Sequence, residues 1–218
     1  MDRGTKKMKV LELFAGSRSF SKVAEELRHD TYATDIEDFG NINQVCNIFD
    51  FYIDKMLNEF GKPDIIWASP PCTTFSVASI GHHWKGGNQA YIPKTNKAKL
   101  GIEIVKKTDR IIKELNPEYW FVENPRGLLR KLNLINQEGF LRRTVWYCQY
   151  GDKRAKPTDI WTNNWNWIPK PVCKNGNPVC DHERAPRGSR TGTQGLKNDY
   201  ERSKVPYELC KEILKGLK

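Results

Sequence analysis

Val10-Leu11-Glu12-Leu13-Phe14, then Ala15-Gly16, then apolar Phe20, Val23, Ala24 and Leu27: this stretch decides the fold. The first five residues read as a short buried strand, Ala15-Gly16 closes it, and Ser19 to Arg28 places its apolar positions on one helical face. A strand, a tight glycine turn and a helix form the opening unit of a parallel sheet, with backbone N–H groups aimed where a ligand can approach. The same alternation continues downstream. Thr31–Asp35 reads as a strand ending in an acid, Phe51–Phe60 as a helix and Asp64–Ala68 as a strand. A helix from about Leu100 to Leu115 then leads into a strand at Tyr119–Val122. Short apolar strands alternating with amphipathic helices predict an α/β fold around a doubly wound, mostly parallel sheet.

Beyond Arg143 the pattern changes. Thr144–Tyr150 and Asp159–Thr162 read as an antiparallel pair, and residues 163–200 are rich in Pro, Gly, Asn, Lys and Arg with little periodicity. Val205–Leu217 closes as a helix with Leu209, Ile213 and Leu217 on one face. The pattern therefore divides the chain into a larger α/β domain (1–162), a small irregular lobe (163–200) and a returning helical segment (201–218). Residues 80–99, polar and containing His82, His83, Trp84, Lys85, Gly86 and Gly87, read as a mobile loop.

At 218 residues the chain can bury one good core. No apolar run is long enough to cross a membrane and no secretory signal opens the sequence, so the expectation is a soluble, cytoplasmic protein with no membrane partner. The six Cys are then read singly rather than as disulfides. Residues 1–70 carry 9 Lys/Arg against 12 Asp/Glu, a net −3, whereas the remainder carries 27 against 14, a net +13. The basic remainder points to a polyanionic partner. No obligate protein partner is evident.

Two stretches carry chemistry. In Ser69-Pro70-Pro71-Cys72-Thr73-Thr74-Phe75-Ser76, two prolines deny a helix and hold an extended turn straight after a buried strand. Cys72 is thereby presented at the carboxyl edge of the sheet, where α/β ligand sites lie. Val122-Glu123-Asn124-Pro125-Arg126-Gly127 also follows an apolar strand, which sets Glu123 on the same edge. A thiol beside a carboxyl group suits covalent addition assisted by proton donation.

In this order, the motifs resemble those of the DNA cytosine-5 methyltransferase family, over most of the chain. Leu13-Phe14-Ala15-Gly16 resembles its first cofactor motif, Asp35-Ile36-Glu37 the ribose-binding acid and Asn47-Ile48 the adenine contact. Ser69-Pro70-Pro71-Cys72 with Phe75-Ser76 resembles the nucleophile motif and Glu123-Asn124 the acid motif. Tyr150-Gly151 resembles a later motif and Val205-Pro206 the last one. The resemblance implies a compact, phage-like enzyme that flips a cytosine out of double-stranded DNA and methylates its carbon 5 from S-adenosylmethionine. Cys72 and Glu123 would be catalytic. Phe14, Ala15, Gly16, Ser17, Asp35, Ile36, Asn47, Ile48, Pro70, Leu100 and Ser203 would bind the cofactor. Ser76, Arg126, Lys156, Thr158, Arg184, Arg187 and Arg190 would meet DNA or the flipped base.

The sequence also departs from that pattern. Ser17-Arg18-Ser19 stands where further glycines are usual, which implies a bulkier cofactor loop. Lys156 and Thr158 stand nearest to arginines that normally reach the base, and Thr cannot reproduce the guanidinium fork. Lys204, in Arg202-Ser203-Lys204-Val205-Pro206, would sit near a sulfonium unless it meets an anion; a donor with an extra carboxylate, and hence carboxymethyl transfer, is one alternative. Methylation of RNA is another, and a non-catalytic DNA-binding homologue a third. Within the short recognition region Cys173, Cys180 and His182 are spaced C-x6-C-x-H. Zinc is the less favoured reading of them because a fourth ligand is missing from the local sequence, although Cys148 could approach in space.

Overall fold

Alternation along the central strands builds two hydrophobic layers, one on each face of a seven-stranded sheet. The computed structural model describes residues 6–86, 91–173, 180, 182 and 198–217. The elements run β1 (Lys9–Leu13), α1 (Ser19–Glu26), β2 (Asp30–Asp35), β3 (Gln44–Val45), α2 (Ile53–Glu59), β4 (Ile65–Ala68) and α3 (Ile80–His83). They continue as β5 (Trp84–Lys85), β6 (Ile92–Pro93), α4 (Asn96–Leu115), β7 (Tyr119–Pro125), β8 (Leu141–Trp146), β9 (Pro157–Thr162), α5 (Asp199–Ser203) and α6 (Tyr207–Lys215).

Sheet order is β3-β2-β1-β4-β7-β9-β8. The first five of these strands are parallel, whereas β9 runs antiparallel to β7 and to β8. Val10, Ile65, Trp67, Phe121 and Ile160 face α1 and α6, where Phe20 stacks on Trp67 with ring centroids 4.5 Å apart. Leu11, Leu13, Ile66, Ala68 and Val122 face the opposite layer, which holds Met56 of α2 and Val105 and Ile112 of α4. Cover on both faces is why these strands read as nearly unbroken apolar runs. Among the described residues no helix is long and apolar enough to cross a membrane.

Three local expectations need correction. Residues 80–86 and 91–95 are not an open loop. His83 is buried with Nδ1 2.7 Å from Thr95 Oγ1, and buried Trp84 donates its indole N–H to the Thr74 carbonyl at 2.7 Å. The hinge proposed at Gly86-Gly87 lies partly outside the described residues. Thr95 caps α4 through Ala98 N–H, so that helix begins four residues before Leu100. Finally, β8 ends at Trp146, and Tyr147–Tyr150 turns into a short 3-10 helix capped by Gly151 at φ 85°.

Within residues 163–173, one aromatic side chain packs against the sheet and α6. Trp167 is buried, edge-on to Phe121 at 6.3 Å, and its indole N–H donates to Glu212 Oε1 at 3.1 Å. Pro, Gly and Asn content marked this stretch as irregular without revealing the aromatic anchor within it.

Candidate active site

Strand register puts the two reacting candidates on one edge. Ala68 of β4 pairs with Val122 of β7, so Glu123, still paired with Ile160 of β9, lies level with Ser69, at the start of the loop that bears Cys72. The two segments are locked together: Asn124 donates its amide N–H to the Pro70 carbonyl at 2.9 Å, and Leu128 N–H donates to the Phe75 carbonyl at 2.7 Å. Between those contacts lies Gly127. A Cβ added there would stand 2.2 Å from the Phe75 carbonyl oxygen, a backbone atom with little room to yield. Gly127→Ala is therefore expected to cost about 1–3 kcal/mol of stability through overpacking and to cut turnover at least several-fold by displacing the Cys72 loop. Thermal unfolding beside steady-state turnover checks both effects.

Cys72 is partly exposed, and its carbonyl accepts from Phe75 N–H at 2.9 Å and Ser76 N–H at 3.1 Å, which closes the loop into a tight turn. Burial pushes its thiol pKa up from 9.0, the Lys156 ammonium pulls it down, and the Glu123 carboxylate pushes it up again. Glu123 is buried at 4% exposure, and its Oε1 accepts a 2.8 Å hydrogen bond from the Tyr147 hydroxyl. Desolvation, then the Glu123 charge, hold the Tyr147 phenol well above its usual range, so it stays a proton donor to that carboxyl group. Tyr147 was missed by sequence reasoning. The sequence pattern runs it into a strand, whereas β8 ends at Trp146 and the Tyr147 hydroxyl reaches Glu123.

Lys156 arrives just before β9. Antiparallel pairing with β7 brings that end of β9 back to the carboxyl edge. Its Nζ lies over the Tyr147 ring at 4.6 Å and donates to the Arg202 carbonyl at 3.0 Å. Burial lowers its pKa, while Glu123 and Cys72 act in the opposite direction. Thr158 must be corrected as a base contact: it is fully buried, and its hydroxyl donates to the Lys156 carbonyl at 3.2 Å. Ser76 is half-buried beside Ser79, with their hydroxyl oxygens 3.0 Å apart, and Arg126 is exposed next to the acid motif. Arg184, Arg187 and Arg190 lie outside the described residues.

Beside this edge opens a cavity of about 580 Å³ lined by Phe14, Gly16, Asp35, Ile36, Asn47, Ile48, Leu100 and Ser203, together with Phe39, Ser69, Pro71 and Tyr200. Ala15, Ser17 and Pro70 are buried behind that wall rather than on it. Ser69 and Pro71 form the partition between the cavity and the Cys72 loop. Asp35 Oδ2 accepts Gly16 N–H at 2.8 Å, and the left-handed residues Phe14 (φ 57°), Gly16 (φ 47°) and Arg18 (φ 55°) fold the turn tightly. Arg18 does not crowd the cavity; its guanidinium turns away to Glu25 and to the Thr31 hydroxyl. Val205 N–H donates to Ser19 Oγ at 3.2 Å, which docks the last motif onto the first.

Lys204 finds its anion within the chain. Nζ is 2.8 Å from Glu201 Oε1 and lies over the Tyr200 ring at 5.2 Å. The reason for invoking a donor with an extra carboxylate is thereby removed.

Residues 8–141 match the family described as C-5 cytosine-specific DNA methylase, more than half of the chain. A curated protein of Frog virus 3 (isolate Goorha), named "Probable DNA (cytosine-5)-methyltransferase", is 28% identical over 219 aligned residues, covering 95% of this chain and 99% of that protein. Among solved structures, a DNA modification methyltransferase encoded within an E. coli prophage superposes with a TM-score of 0.51 at 15% identity, over 72% of this chain and 46% of that one. The Entamoeba histolytica methyltransferase EhMeth gives 0.53 at 16% identity, over 78% and 58%. At such identities the two structures speak for the fold alone, and the chain spans about half the length of each.

Proposed function

Because the chain belongs to the C-5 cytosine-specific DNA methylases, we propose that it methylates carbon 5 of cytosine in double-stranded DNA from S-adenosylmethionine, with Cys72 as nucleophile and Glu123 as acid. The observation that carries the assignment of residues is the locked edge. A partly exposed thiol, a buried carboxyl group held by Tyr147 and an adjacent ammonium at Lys156 converge beside a cavity of cofactor size.

The residues fit an adenosyl cofactor. A cavity of about 580 Å³ is ample for one. Ile36 and Leu100, 64% and 51% exposed, offer apolar surface to an aromatic base, and Asp35 keeps lone pairs for ribose hydroxyls. When bound, the cofactor supplies an electrophilic methyl group. Everything else falls to the chain. Addition of the Cys72 thiolate to C6 forms a carbon–sulfur bond and pushes the ring electrons onto C5, which otherwise is too poor a nucleophile. Glu123 hydrogen-bonds the N3 side of the ring and stabilises the charge that develops during addition. After C5 has taken the methyl group, a base removes the C5 proton, the electrons return to the ring and the carbon–sulfur bond breaks to restore the thiolate. A stacked base is out of reach of Cys72, so the cytosine has to leave the duplex first.

Lys156 fits the role of stabilising the thiolate. Removing its charge in Lys156→Gln is expected to raise the Cys72 pKa further, because a cation favours the ionised form. Iodoacetamide labelling of Cys72 should accelerate as pH rises past neutrality in the wild type, and in the variant that rise should move to higher pH, with labelling several-fold slower at about pH 8. An unchanged profile would separate Lys156 from the thiol.

Bisulfite sequencing of DNA from cells expressing the chain tests the function as a whole. The reading expects protected cytosines in one short sequence context. Methyl transfer to transfer RNA with duplex DNA left unmodified would replace it by the RNA reading.

A further inference from the structure

Away from Cys72, the chain gathers a second set of sulfur and nitrogen atoms. The Sγ atoms of Cys148, Cys173 and Cys180 and a ring nitrogen of His182 all lie within 4.8 Å of one another. His182 Nδ1 is 3.5 Å from Cys173 Sγ and 3.4 Å from Cys180 Sγ. None of these cysteines is in a disulfide. In a tetrahedral zinc site, with about 2.3 Å to sulfur and about 2.0 Å to nitrogen, a sulfur and a nitrogen ligand stand roughly 3.5 Å apart. Three of the four residues are close in sequence; the fourth, Cys148, is carried in by the 3-10 helix at Tyr147–Tyr150, as the sequence allowed.

We propose that Cys148, Cys173, Cys180 and His182 bind one structural zinc ion. Three thiolates and an imidazole select zinc over magnesium or calcium, and four protein ligands leave no open position for water or substrate. Cys148 and Cys173 are buried while Cys180 and His182 are half-buried, so the ion is sheltered from solvent on its domain side. The site does what composition cannot. Residues 163–200 hold too few apolar side chains for a core of their own, and metal binding supplies folding energy there. It also reaches the chemistry, since Cys148 adjoins Tyr147, the residue that donates to Glu123. The metal therefore ties the segment reaching from Cys173 to His182 to the short helix that holds the catalytic carboxyl group in place.

Metal analysis of the full chain, purified without chelator, tests this. Wild type should carry about one zinc per chain, Cys180→Ser and His182→Ala should fall to about one-tenth or less, and Cys46→Ser should keep its zinc. Cobalt loaded in place of zinc should give thiolate-to-cobalt charge-transfer bands and the intense visible bands of a tetrahedral site, both absent in Cys180→Ser. Three results would overturn the proposal: folded wild-type protein with neither zinc nor cobalt bands, full zinc retained by Cys180→Ser, or a mass lighter by two hydrogens with Cys148 mapped in a disulfide to Cys173 or Cys180. The readout is metal, not methyl transfer, so a chain that binds zinc but leaves DNA unmodified refutes the proposed function and leaves this site standing.

Discussion

Cys72→Ser is expected to abolish methyl transfer, with a loss of at least about 10³-fold, because a serine hydroxyl is far too weak an acid to supply the anion that adds to C6. The fold should survive. Cys72 is partly exposed in a turn held by backbone hydrogen bonds, and oxygen for sulfur leaves those bonds in place. Methyl incorporation into duplex DNA, measured beside an unchanged unfolding transition, checks this. Retention of more than about one-tenth of the activity would remove the sulfur from the mechanism.

Glu123→Gln should lower kcat by about 10²- to 10⁴-fold, the usual range for loss of a general acid. Glutamine preserves the volume and keeps an amide oxygen to accept the Tyr147 hydroxyl, so the packing at 4% exposure is retained while the proton is lost. The effect should fall on kcat rather than KM for DNA, since the carboxyl group is buried at the sheet edge and acts on the ring during addition. A change in KM alone, with kcat within about ten-fold of wild type, would make Glu123 a binding residue instead.

Much of this candidate site was legible in the sequence because the segments bearing Cys72 and Glu123 are punctuated strand ends. An apolar run followed by Pro70-Pro71, or by Asn124-Pro125, states where the strand stops, and parallel topology then places both stops on the same edge. Of the eleven residues that the resemblance implied for a cofactor, eight line the cavity. What failed depended on contacts that the linear pattern does not display. Thr158 was assigned by its place in a motif, yet the inward face of β9 buries it. Lys204 looked like an unpaired charge until α5 formed and brought Glu201 within 2.8 Å. Tyr147 carries no local signal, because its role arises from a strand ending four residues earlier than the apolar pattern suggests. Cys148 likewise lies 25 residues from Cys173, and only the fold shows the two to be neighbours.

The account rests on a covalent bond between Cys72 and a cytosine ring, and trapping that bond is its most direct test. Duplex DNA in which the target cytosine is replaced by 5-fluorocytosine, incubated with the full chain and S-adenosylmethionine, has no C5 proton to release, so the adduct cannot resolve. Denaturing gel electrophoresis should show protein and DNA migrating together, and peptide mass spectrometry should place the pyrimidine on Cys72. Active protein that methylates ordinary DNA yet yields no adduct on the fluorinated duplex, or an adduct on another residue, would contradict the mechanism.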